Sequence, residues 1–271
     1  TPGTQTTPPN DVRPSIIDRV NIALNDTETI DVPARIAPGD NFEVSSVRIG
    51  GNFGIGAGGD GILNVDGGTL TVSGQGLGSG IAMGFNIRHG KLNISNGGLV
   101  DITAGNLLVG VENGNAQDVS EVNVTGASTL NVAGSFLIGG DQNTSADNNT
   151  RGTVVIGNGA DNPIVNVSGG NTEVARGGIG RFTLNSGEFN QLASNFVLAQ
   201  TRNTGTTSNT DAIVDVDGGT LTIAGAGQLN MNGGVSVFNH NGGDVIVGGD
   251  MQMATANDTT SNATYNLDAG A

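Results

Sequence analysis

At 271 residues the chain has room for one large all-β domain or two ordinary ones, while 47 glycines and only 3% aromatics argue against a conventional thick core. Glycine without a strict G-X-Y period excludes collagen, and Val, Ile and Leu placed regularly throughout exclude a disordered chain. Ten basic residues (10 Lys+Arg) against 25 acidic ones leave a net charge of −15, and Lys91 is the sole lysine. Nucleic acids and anionic membranes need clustered cations, so neither is an expected partner.

The absence of cysteine rules out disulfides and thiolate metal sites. No run approaches the roughly 20 apolar residues of a membrane helix. The sequence opens at Thr1 without an apolar h-region, which reads as a start behind a removed signal peptide or inside a longer product.

In chain order, residues 1–14 (TPGTQTTPPNDVRP) read as an extended Pro/Thr-rich leader. Residues 15–29 begin with SIIDRVNIAL, either a short amphipathic helix or a strand covering the first rung, and are expected to form an N-terminal cap or docking segment. From residue 30 to 271 the chain repeats. Alternating segments recur at Leu63–Val65, Leu92–Ile94, Val122–Val124, Val154–Ile156, Phe182–Leu184, Val214–Val216, Phe238–His240 and Tyr265–Leu267, about 29 residues apart. A second segment follows a Gly-rich corner, as in Leu70–Val72, Val100–Ile102, Leu130–Val132, Leu221–Ile223 and Val245–Val247. A third includes Leu107–Val109, Phe136–Ile138, Phe196–Leu198, Leu229–Met231 and Met251–Met253.

Side chains alternate faces along a strand, so Leu63 and Val65 are expected to face in, with Asn64 and Asp66 out. Three short strands cannot bury a face alone, whereas stacked copies can. The prediction is all-β: a single-stranded parallel β-helix of about eight coils, right-handed like most parallel crossovers, rising about 4.8 Å per coil to a rod of about 40 Å. An antiparallel sandwich predicts short strands too, but not the same three-part unit over and over.

Connection lengths are expected to vary between the third strand and the next coil, at Glu112 to Asp118, Asp141 to Thr150, Thr201 to Thr210 and Ala254 to Asn262. In a stacked coil these emerge along one edge, as solvated loops or as a contact ridge. One further insertion, near Gly157 to Pro163, interrupts another corner.

The segments ILNVDGGTLTVSG (62–74), AIVDVDGGTLTIAG (212–225), VFNHNGGDVIVGG (237–249) and ATYNLDAG (263–270) resemble the repeats of bacterial autotransporter-passenger-like β-helix proteins, including Gly/Asn-rich surface proteins. The resemblance extends over about residues 45–271 and lies in repeat style. It implies export, a cell-surface or matrix location and roles in adhesion or assembly. It carries no catalytic residues across.

Catalytic chemistry is sparse. A glycosidase needs two carboxylates held across a cleft, and a lyase needs a cation cluster with a basic residue. Asp66, Asp217 and Asp268 recur singly beside corner glycines and read as turn formers bonding their own backbone. His89 and His240 lack metal-ligand spacing; His240 falls on an inward position as a satisfied core or near-surface histidine, and His89 is expected to be exposed. Residues 58–66 (GGDGILNVD) partly echo a Ca²⁺ nonapeptide without its spacing, leaving Ca²⁺ at acidic corners as a weak option. Only Thr69–Thr71 and Thr220–Thr222 fit a Thr-x-Thr ladder, too few for an ice-binding face. Sequons at Asn93, Asn123, Asn166 and Asn262 follow from abundant Asn and Thr. Outward Asn64, Asn93, Asn123, Asn239 and Asn266 occupy equivalent positions and are expected to form amide ladders.

The reading is therefore a secreted or surface-located, non-enzymatic rod. No catalytic, cofactor-binding or metal residue is assigned. Self-association into filaments, coat or matrix is the first expectation, because DAGA follows the first strand of a new coil and leaves that coil incomplete. An adhesin binding glycans through the loop edge is the second, and a polysaccharide lyase or hydrolase the third.

Overall fold

The computed structural model describes residues 19–22, 34–51, 59–74, 80–84, 89–111, 119–140, 150–199, 210–231, 233–254 and 262–268. Every regular element among them is a strand. The first rungs are β1 (Arg19–Ile22), β2 (Ala34–Ile36), β3 (Asn41–Val44), β4 (Ser46–Ile49), β5 (Gly61–Asp66), β6 (Thr69–Val72), β7 (Gly80–Met83), β8 (Gly90–Ser95) and β9 (Leu99–Ile102). The middle holds β10 (Asn106–Val109), β11 (Val119–Val124), β12 (Thr129–Val132), β13 (Phe136–Ile138), β14 (Arg151–Ile156), β15 (Ile164–Val167), β16 (Thr172–Val174), β17 (Ile179–Leu184) and β18 (Glu188–Gln191). The last are β19 (Phe196–Leu198), β20 (Asp211–Val216), β21 (Thr220–Ile223), β22 (Leu229–Met231), β23 (Val235–His240), β24 (Asp244–Val247), β25 (Met251–Met253) and β26 (Asn262–Leu267).

Each strand pairs in parallel with the strand three places on, building three walls. Among the described residues, sheet A is 9-stranded from β1 to β25, sheet B is 9-stranded from β2 to β26, and sheet C is 8-stranded from β3 to β24. This is the parallel β-helix of about eight coils that the repeat spacing predicts. All eight predicted first segments lie in sheet B, the second segments in sheet C and the third in sheet A. Of SIIDRVNIAL, the described part is strand β1, which pairs with β4 in sheet A, so the strand alternative holds there. The leader 1–14 lies outside the described residues.

The column core follows from the alternation. In β5 the burial runs Gly61, Leu63 and Val65 in, and Ile62, Asn64 and Asp66 part-exposed. The same pattern repeats up the wall, so Leu63, Leu92, Val122, Val154, Phe182, Val214 and Phe238 stack in one row. Around the middle coils the row thickens into an aromatic cluster: Phe182 meets Phe189 edge-on at 5.0 Å and Phe196 at 5.5 Å. A fully buried side chain of this size contributes roughly 2–3 kcal/mol by burial, with up to about 1 more per edge-on ring pair.

A second inward row of sheet B is small throughout: Gly61, Gly90, Ser120, Gly152, Gly180, Ala212 and Ser236. The backbone of the preceding wall passes there. A Cβ on Gly152 would sit 2.4 Å from the Val109 carbonyl oxygen, and one on Gly180 2.3 Å from the Ala175 nitrogen. At the corners between sheets B and C, Gly67 adopts a φ of 78° and Asn96 one of 54°. That is the left-handed region which Gly and Asn enter most readily.

Sheet A differs from its neighbours in that much of its outward face is buried as well, although Arg48, Leu108 and Gln252 in that row stay part-exposed. Its outward row includes Ala82, Leu137, Glu173, Val197 and Asn230, all buried. The strands accordingly read as unbroken runs such as FLI and FVL instead of alternating ones. Connections from sheet A to sheet B are the variable ones, from residues 232–234 at the shortest to 139–150 and 199–210 among the longest. The insertion at 157–163 sits at a corner between sheets B and C, as expected.

Candidate functional site

Polar chemistry lies on the outer faces of sheets B and C and at the corners, whereas both described ends of the column are mainly apolar. On sheet B, Asn93 Nδ2 donates to Asn64 Oδ1 at 2.7 Å and Asn123 Nδ2 to Asn93 Oδ1 at 3.0 Å. Val155 and Thr183 interrupt the row, and it resumes as Asp215, Asn239 and Asn266, with amide donors 2.7 Å from their acceptors. The predicted amide ladder is present in two stretches. A second ladder on sheet C joins Asn131, Asn166 and Asn190 at 2.9 and 3.1 Å. It escapes a sequence reading because the insertion at 157–163 and the short coil after it shift the spacing.

The corner aspartates behave differently from expectation. Asp66 bonds across coils: it accepts from Arg35 at 2.6 Å, from Asn96 at 2.5 Å and from Ser95 at 3.3 Å. The Asn96 amide first, and Arg35 next, hold its carboxyl below the usual carboxylate range. Asp217 likewise accepts from the Asn241 amide at 2.7 Å. Neighbouring coils supply these partners at a fixed height, so cross-coil bonding replaces the expected local turn. In the 157–163 insertion, Asp161 accepts from the Ser186 hydroxyl at 2.7 Å, from the Asn158 N–H at 2.9 Å and from the Gly126 N–H. Partial burial pushes its pKa up, and the hydrogen bonds from Ser186, Asn158 and Gly126 outweigh that and lower it.

Ion pairs also form between coils, as Lys91–Glu121 at 2.8 Å and Arg181–Asp211 at 2.9 Å. Their partners are 30 residues apart in sequence, and pairs of this kind are visible only once the coil period is fixed. Glu173 and Arg176 pair at 2.9 Å on the covered side of sheet A, with side chains 3% and 4% exposed.

His240 is buried at the inward position predicted for it. Its Nε2 lies 3.1 Å from the Gly243 carbonyl, which only accepts, so Nε2 carries the proton and Nδ1 accepts from the Tyr265 hydroxyl at 3.2 Å. His89 is part-buried and not fully exposed, because its Nδ1 turns 3.2 Å from the Val119 carbonyl of the next coil. Asp60, within the Ca²⁺-like segment, accepts the His89 N–H at 3.0 Å. Gly58 of that segment, and the loop tips 112–118, 141–149, 201–209 and 255–261, lie outside the described residues. Among the described residues no group of three or more His, Asp or Glu side chains converges as a metal-holding set.

The C-terminal end is where the column opens. One coil earlier, Leu221, Leu229, Met231 and Phe238 are fully buried. Of their equivalents, Met251 and Met253 stand 44% and 41% exposed and Val245 and Tyr265 are part-buried, while Leu267, which follows His240 in its row, is 66% exposed. Tyr265 stacks flat on Phe238 at 5.1 Å, and burial raises its phenol pKa. At the opposite end a cavity of about 170 Å³ opens into the column, lined by apolar residues that include Val20, Ile22, Ala34 and Phe42. The chain matches no protein-family model, no curated protein and no solved structure.

Proposed function

We propose that this protein is a non-catalytic structural element: a secreted or surface-located β-helical rod that associates with copies of itself into filaments, a coat or a matrix. One observation carries the reading. The inward rows that are dry in every middle coil become solvent-facing at β24, β25 and β26, where Met251, Met253 and Leu267 present apolar surface beside strand edges. Strand edges and exposed apolar side chains together favour pairing with another chain. The side faces support the same role, since amide ladders and cross-coil ion pairs stiffen a rod without forming a cleft.

The test is sedimentation velocity and negative-stain microscopy across a wide concentration range. The wild-type chain forms elongated oligomers, and Leu267→Asp combined with Met251→Asp returns it to monomer with unchanged far-UV circular dichroism. Monomeric wild-type protein at high concentration would falsify the proposal. The competing glycan-binding reading draws on the variable connections from sheet A to sheet B, and glycan-array binding lost on shortening residues 141–150 would favour it.

A further inference from the structure

The sequence contains five Asn–Gly steps, and three of them, Asn96–Gly97, Asn158–Gly159 and Asn241–Gly242, lie among the described residues. Two share more than the dipeptide. Asn-Gly-Gly at 96–98 and Asn-Gly-Gly at 241–243 both turn the chain from sheet B into sheet C. Both also set the asparagine amide on an aspartate of the preceding coil. Asn96 Nδ2 donates to Asp66 Oδ1 at 2.5 Å, and Asn241 Nδ2 to Asp217 Oδ1 at 2.7 Å.

The two corners differ in length by one residue. Four residues (95–98) separate Ile94 from Leu99, whereas three (241–243) separate His240 from Asp244, which stand in the same two rows. The shorter corner lies tight on its neighbour, where the Asn241 and Gly242 N–H groups both donate to the Val216 carbonyl, at 2.8 and 3.0 Å. In the longer corner Gly98 donates to Ser95 and Leu99 to Gly68, while the Gly97 N–H has no partner among the described residues. Gly97 has a φ of 81°, with nothing within 4 Å of the place a Cβ would take, and Asn96 and Gly97 are both exposed. At the third step the Gly159 N–H donates to the Ser186 hydroxyl at 3.3 Å, and Asn158 Oδ1 accepts from the Ala160 N–H at 3.1 Å.

We infer that Asn96–Gly97 is a self-modification site, at which the free Gly97 nitrogen attacks the side-chain carbonyl carbon of Asn96. The N–Cγ bond forms, the Cγ–Nδ2 bond breaks, and the Gly97 proton leaves with the amide nitrogen as ammonia. Water, the only co-reactant, then opens the cyclic imide. Opening at Cγ leaves an aspartate at position 96. Opening at the main-chain carbonyl leaves an isoaspartate, with one extra methylene in the backbone. Either product exchanges an amide donor for a carboxylate beside Asp66. Like charges then face each other where a hydrogen bond tied the coil of β8 to the coil of β5, and Arg35 is left to hold Asp66. The change runs one way, so this corner records the age of the molecule while the corner at 241–243 does not.

The test follows conversion in the full chain, folded, in mildly alkaline buffer, with peptide mapping by mass spectrometry at positions 96, 158 and 241. Asn96 converts faster than Asn241 by at least about fivefold, the rate equivalent of the one hydrogen bond of about 1 kcal/mol that Gly242 must first release. In urea-unfolded chain the two rates converge, because both steps are then Asn-Gly-Gly in open solvent. Equal rates in the folded chain overturn the assignment. A preference for Asn96 that survives unchanged in urea also overturns it, since sequence and not the free N–H would then set the rate. The effect on the coil joint is read from Asn96→Asp, which lowers the thermal midpoint at neutral pH and does so less in an Asp66→Asn background. An unchanged midpoint, or the same loss in both backgrounds, overturns the repulsion between positions 66 and 96.

Discussion

Single residues in this rod act mostly by what they do to the coil above or below. Asp161 is the clearest case, since its carboxylate gathers hydrogen bonds from Gly126, Asn158 and Ser186 and so ties an insertion to two other coils. Asp161→Ala is expected to cost on the order of 1–3 kcal/mol, read as a lower denaturant midpoint. The pH dependence has a defined sign. The carboxyl's folded pKa lies below its ordinary value of 3.8, so the unfolded chain binds its proton first as pH falls. Its contribution is complete above about pH 5 and fades as pH drops through 3.8 and below, and Asp161→Asn removes that part of the acid sensitivity. Glu173 carries a different risk. Glu173→Ala removes the carboxylate that stands 2.9 Å from the buried Arg176 guanidinium, and a loss of about 3–5 kcal/mol is expected in urea melts. Neither effect is legible in sequence. Asp161 looks like any loop aspartate, and the burial of Glu173 follows from the cover on sheet A.

At the scale of elements, the small-residue row of sheet B sets how closely walls approach. Gly152→Val would drive a side chain into the Val109 carbonyl and the neighbouring Gly139 N–H, 2.4 and 2.6 Å from the new Cβ. A loss of 3 kcal/mol or more is expected, at the top of the overpacking range, as a fall in thermal midpoint. The aromatic cluster predicts the opposite kind of damage, with Phe189→Ala leaving a cavity costing about 3–5 kcal/mol. The strands themselves were readable wherever they alternate: Leu63–Val65 and Leu130–Val132 announce one buried and one open face. Thr172–Val174 and Ile81–Met83 escape that pattern, because a wall buried on both faces has no reason to alternate. Ile164–Val167 escapes for another reason, displaced by the insertion before it. The asparagine ladder was legible from equivalent positions, and its breaks at Val155 and Thr183 mark coils where Asn93→Ala-type changes would have nothing to remove.

The whole molecule behaves as a one-dimensional stack, since each coil touches chiefly its neighbours. Amide hydrogen exchange should therefore be slowest around β17 to β19, where the phenylalanines meet, and quicken toward both ends. Uniform protection along the rod would contradict this. The repeat period was enough to place the chain in the right architecture. The last strand was legible at Tyr265–Leu267, but the exposure of Met251 and Met253 was not, because sequence shows where inward residues recur and not how far each is covered. Because all three walls run their strands across the column axis, oriented fibres of such rods would diffract with a meridional arc at about 4.8 Å, the spacing between paired strands.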